Sequence, residues 1–101
     1  MDDWYNSYQK RAKDLEYHVH DRIDNHEHPQ ARLMREEFRQ LTEDFEHRRN
    51  PLSIEARMQT IQRQLMQSQH SNDHYMSVDD SVSLHHQLER MRQEVRHHPD
   101  V

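Results

Sequence analysis

Two copies of one apolar spacing, separated by an Asn-Pro, constrain this chain more than any other feature. Met34, Phe38, Leu41 and Phe45 step by four, three and four residues, and Ile54, Met58, Ile61 and Leu65 do the same beyond Asn50-Pro51. Residues three and four apart share a helix face, so each set is a stripe along one helix. One continuous helix is excluded. Its heptad phase would run on through Arg48, Leu52, Glu55, Gln59 and Gln62, of which only Leu52 is apolar. The chain must therefore turn at Asn50-Pro51, where Asn offers a capping oxygen and Pro is tolerated at the first helical position. Folding there sets Phe45 against Ile54, Leu41 against Met58, Phe38 against Ile61 and Met34 against Leu65, an antiparallel helical hairpin.

The same reasoning extends to both ends. Trp4, Tyr8, Ala12, Leu15, Val19 and Ile23 form one further stripe, and Leu84, Leu88, Met91 and Val95 another. Pro29 pushes the preceding residue out of the helical region and is expected to end the first helix. Folding back there brings Ile23 near Met34 and Val19 near Phe38. His70-Ser71-Asn72-Asp73 reads as a loop, and Ser77 followed three residues later by Asp80 reads as the cap of a last helix. The expected fold is all-α, a single domain over residues 1–101. It is a small antiparallel bundle of four helices built from helical hairpins, at about 3–28, 30–49, 51–68 and 77–97.

Composition sharpens this. The chain has no glycine, which leaves tight hairpin turns, bulges and phosphate-cradling loops without their usual residue and argues against a sheet. It has no cysteine, which removes disulfides, zinc thiolates and a thiol nucleophile. No apolar run approaches the ~18 residues of a membrane span, and the start Met1-Asp2-Asp3 lacks the pattern of a secretory signal. These features lead to the expectation of a soluble, cytoplasmic chain with no membrane partner. Each stripe carries two apolar positions per heptad, the narrow seam of a coiled coil rather than the broader face of a globular bundle helix. Self-association as a homodimer is expected on that ground, with the off-stripe residues Leu33, Leu52, Met66, Val78 and Val82 available for pairing.

For function, the favoured expectation is a non-catalytic protein–protein interaction or regulatory accessory module. Its candidate partner-binding residues are Trp4, Tyr5, Tyr8, Leu33, Leu52, Met66, Arg48 and Arg49, since Trp, Tyr and Arg are enriched in binding hot spots. The aromatic trio has a competing role as a plug at one end of the core. A nucleic-acid-associated regulator is the alternative, resting on Arg32, Arg35, Arg39, Arg48, Arg49, Arg57 and Arg63 in the central hairpin. Against it stand the interleaved Glu36, Glu37, Glu43, Asp44 and Glu46, with Arg32 and Glu36, and Arg39 and Glu43, at ion-pair spacing, and a net charge of −5. A histidine-based metal protein is the second alternative, because eleven histidines include His20 with Asp24, Asp14 with His18, and His85 or His86 with Glu89 at helical spacing. No Glu-x-x-His repeat or His-Glu-x-x-His supports it, so no metal ligand and no cofactor is assigned. Nothing marks a nucleophile held by a base, and Asp2-Asp3 and Asp79-Asp80 suit helix N-termini, so no catalytic residue is expected.

Overall fold

A computed structural model describes residues 4–69 and 75–97 of the chain, and these form four helices. They are α1 (Trp4–Arg22), α2 (Pro29–Glu46), α3 (Pro51–Gln69) and α4 (Val78–Arg96). The sequence stripes explain the helices: every stripe residue is buried except Trp4, which is half-buried against the core. α1 packs on α2 and α3 on α4, the two hairpins join along α2 and α3, and α1 meets α4 more sparsely. One chain thus encloses all four narrow seams, the four-sided arrangement making up for the narrowness of each.

The helix ends follow local chemistry. Asn50 Oδ1 accepts from the Leu52 N–H at 2.8 Å, and Ser77 Oγ accepts from the Asp80 N–H at 3.1 Å. Pro29 is the first residue of α2, with His28 as its cap: the imidazole Nδ1 accepts from the Gln30 N–H at 3.1 Å. α2 ends in a Schellman turn. The Arg49 N–H reaches the Asp44 carbonyl at 2.9 Å and the Arg48 N–H reaches that of Phe45 at 3.2 Å. Arg48 takes the left-handed conformation there, φ 53°, where a glycine is usual.

α1 stops at Arg22, six residues before the expected end at 28. Ile23 leaves the helix to form an antiparallel bridge with Met76, and the Asp24 N–H donates to the Tyr75 carbonyl at 2.7 Å. Asn25 then turns the chain, its Oδ1 accepting from the Glu27 N–H at 3.2 Å. The linker bond brings Tyr75 and Met76 into the core, both about fully buried at 1% exposure, although neither belongs to a stripe. α2 likewise ends at Glu46 rather than 49, with the Schellman turn taking the remainder. The expected loop at 70–73 lies outside the described residues.

Polar networks fix how the helices meet. Between α2 and α3, Arg57 pairs with Asp44 and with Glu37, the latter at 3.2 Å. Between α3 and α4, Gln62 Nε2 donates to Glu89 at 2.9 Å, and Arg92 spans Glu89 and Glu55 at 2.8 and 3.6 Å. Hydrogen bonds from Gln62, Gln93 and Arg92 hold the Glu89 carboxyl down to about 2. A carboxyl lower in the folded than in the unfolded chain stabilises above its ordinary value of 4.5, and that contribution is lost as pH falls toward 2. Because Glu89 is half-exposed, screening leaves about 1 kcal/mol. Glu89→Gln should accordingly flatten the loss of stability between those two pH values in urea melts, and an unchanged slope would contradict this.

Candidate ligand-binding groove

A groove of about 480 Å³ runs between α1 and α2, lined by Lys13, Glu16, Tyr17 and His20 from α1 and Arg32, Arg35, Glu36 and Arg39 from α2. Its position follows from the hairpin. These residues sit on the flanks just outside the buried stripes, and the antiparallel pairing about residues 23–28 brings the two flanks together. The Thr42 hydroxyl, 3.1 Å from Glu16 Oε2, fixes the register.

Four formal cations face two carboxylates in this groove, in a chain whose net charge is −5. Their states differ. Arg39 is neutralised, donating to Glu36 at 2.6 and 3.1 Å and lying 3.8 Å from Glu43. Hydrogen bonds from Arg39 and Gln40 in turn hold the Glu36 carboxyl below the usual carboxylate range. The expected Arg32 and Glu36 pair is not formed, because Glu36 is taken by Arg39 from the next turn, whereas Arg39 and Glu43 do approach. Arg32 and Lys13 therefore have no ion-pair partner among the described residues. Arg35 donates only a long bond, 3.3 Å from Nη2 to the His26 carbonyl, and its Nε is buried without an acceptor. The His26 Nδ1 is buried without a partner too, and the His26 ring lies 4.7 Å from that of His20. Tyr17 stands out of the groove wall, 76% exposed.

The other candidate residues fall elsewhere. Trp4, Tyr5 and Tyr8 close one end of the core: Trp4 lies 6.4 Å edge-on to Phe45, Tyr8 stacks on Phe45 at 5.8 Å, and the Tyr5 hydroxyl donates to the Arg49 carbonyl at 3.0 Å. Arg48 sits over the Tyr5 ring at 5.5 Å, tying the α2–α3 turn to the same plug. Leu33 is exposed on α2, Leu52 and Met66 on α3, and Val78 at the start of α4. The seven arginines of the nucleic-acid reading do not converge. Arg32, Arg35 and Arg39 line the groove, Arg48 and Arg49 lie at the opposite end of the bundle, Arg57 is held by Asp44 and Glu37, and Arg63 is exposed on α3. No group of three or more His, Asp or Glu able to hold a metal occurs among the described residues, so His20 with Asp24 and Asp14 with His18 gain no third ligand.

Lys13 and Tyr17 are not among the candidates from sequence, and His20 is a candidate there only for metal, with Asp24. The antiparallel packing of α1 on α2 brings Lys13, Tyr17 and His20 into one groove with Arg32, Arg35, Glu36 and Arg39. No helix of the described residues is long and apolar enough to cross a membrane. Comparison with protein-family models, curated proteins and solved structures found no match to the chain.

Proposed function

We propose that this chain is a non-catalytic protein–protein interaction module that docks an acidic segment of a partner along the α1–α2 groove. The observation that carries the reading is the pair Lys13 and Arg32, which face one groove beside the exposed Tyr17 and have no ion-pair partner among the described residues. Cations left unpaired beside an aromatic ring offer a carboxylate-rich peptide both charge and a stacking surface. A partner protein suits this better than a nucleic acid. Glu16 and Glu36 share the groove, and a continuous phosphate backbone would meet them, whereas a peptide can place its charges singly. The reason to expect a second copy was that the seams looked too narrow to close alone. One chain closes them, so no second copy enters the proposal.

Fluorescence anisotropy with a short aspartate-rich peptide provides the test. Binding is expected at low salt and should weaken as salt rises. Reversing both charges, Lys13→Glu with Arg32→Glu, should weaken it at least about tenfold, since each removed attraction becomes a repulsion. Binding that ignores both the salt and the double variant would refute the proposal.

A further inference from the structure

Among the described residues, side chains that the fold does not use include those at the inner end of the α1–α2 groove, the exposed Met66 and Val78, and the polar cleft between α1 and α4. The first carries an inference. We infer that the end of the groove where Arg35, His26 and His20 meet receives a phosphate, so that the docked partner segment is phosphorylated; this rests on the groove being the partner-binding surface.

The inner end of the groove holds unmet hydrogen bonds. A buried N–H without an acceptor costs about 1–3 kcal/mol, and native proteins leave few of them. Here two unmet groups are neighbours: Arg35 Nε, and Nδ1 of the residue whose carbonyl Arg35 touches, His26. Arg35 gives up little by turning its fork toward the groove. It exchanges one long bond to a neutral carbonyl for shorter, charge-assisted bonds to an oxyanion. Arg32 lies one turn before Arg35 on α2 with no ion-pair partner among the described residues, and His20 adds a second imidazole from α1 beside His26.

Two guanidinium forks and two imidazoles present more donors than one carboxylate can accept. A phosphate monoester matches them, having three strong acceptor oxygens and close to two negative charges. The same groove disfavours a chain of phosphates. Glu16, bonded to Thr42, and Glu36, bonded to Arg39, hold negative charge in its middle, leaving room for one phosphate at the inner end and a mixed-charge segment beyond it.

The test compares three fluorescent probes on the full chain at physiological salt: a short peptide with one phosphoserine flanked by aspartates, the same peptide with serine, and a single-stranded oligonucleotide. The phosphopeptide should bind about tenfold or more tightly than the serine peptide. Arg35→Gln should erase that ratio by weakening the phosphopeptide far more than the serine peptide, whereas Lys13→Gln should weaken both peptides alike and keep the ratio. An unchanged thermal melt for Arg35→Gln excludes misfolding as the cause, and if that variant melts lower, Arg35→Lys is expected to keep part of the preference. Equal affinity for the two peptides would overturn the phosphate site and leave the groove reading standing. Binding of neither peptide would overturn both. Tighter binding of the oligonucleotide than of the phosphopeptide would overturn the inference in favour of nucleic acid.

Discussion

Replacing Phe38 by alanine is expected to destabilise the protein by about 3–5 kcal/mol, the usual cost of deleting a buried aromatic ring from a core that cannot collapse around the loss. Phe38 has no exposed surface and sits midway along α2, the helix shared by both hairpin contacts. Loss there removes apolar burial from α1 and α3 together. Domains of this size are typically stable by only about 5–15 kcal/mol, so the variant should unfold at a far lower urea concentration than the parent. Leu33→Ala, one turn away on the exposed flank, is the control and should move the midpoint by less than about 0.5 kcal/mol. Similar midpoints for the two variants would mean that Phe38 is not in the core.

The second large effect concerns charge. Arg57→Ala leaves the side chains of Asp44 and Glu37, only 10% and 19% exposed, facing each other without a cation. Breaking a buried pair by removing one member costs about 3–5 kcal/mol, and partial solvent access here reduces that to about 2–3 kcal/mol. Most of this cost is the stranded carboxylates rather than the attraction itself. Adding Asp44→Asn to Arg57→Ala should therefore restore about half of the lost stability, a non-additivity that a double-mutant cycle in urea reads directly. Simple addition of the two single effects would show that the network does not tie α2 to α3.

The fold was legible in the sequence because burial repeats with the helix period. Met34 to Phe45 and Ile54 to Leu65 name their own faces, and Asn50-Pro51 and Ser77 mark helix starts with residues whose capping chemistry is local. What failed to show were contacts made by unpatterned residues. Tyr75 and Met76 enter the core because Ile23 and Asp24 bond across to them, a pairing between linkers distant in sequence that no periodicity announces. The end of α1 was misplaced for the same reason: Pro29 is the visible stop, while the effective one is the bridge at Ile23.

The groove was half legible. Arg32, Arg35 and Arg39 stood out by type, but which of them is neutralised depends on a choice between partners at three and four residues. Glu36 has Arg32 on one side and Arg39 on the other, and spacing alone gives no preference. Its choice of Arg39 leaves Arg32 available. Lys13, Tyr17 and His20 became relevant only when the register between α1 and α2 was fixed by Thr42 and Glu16.

Whether the α1–α2 groove is the docking surface is read by amide chemical-shift mapping on isotope-labelled protein as the phosphoserine peptide is added. The predicted result is a set of perturbations confined to residues 13–20 and 26–39, with α3 and α4 unmoved. Perturbations centred on Met66 and Val78, or on the Trp4 and Arg48 end of the bundle, would contradict it.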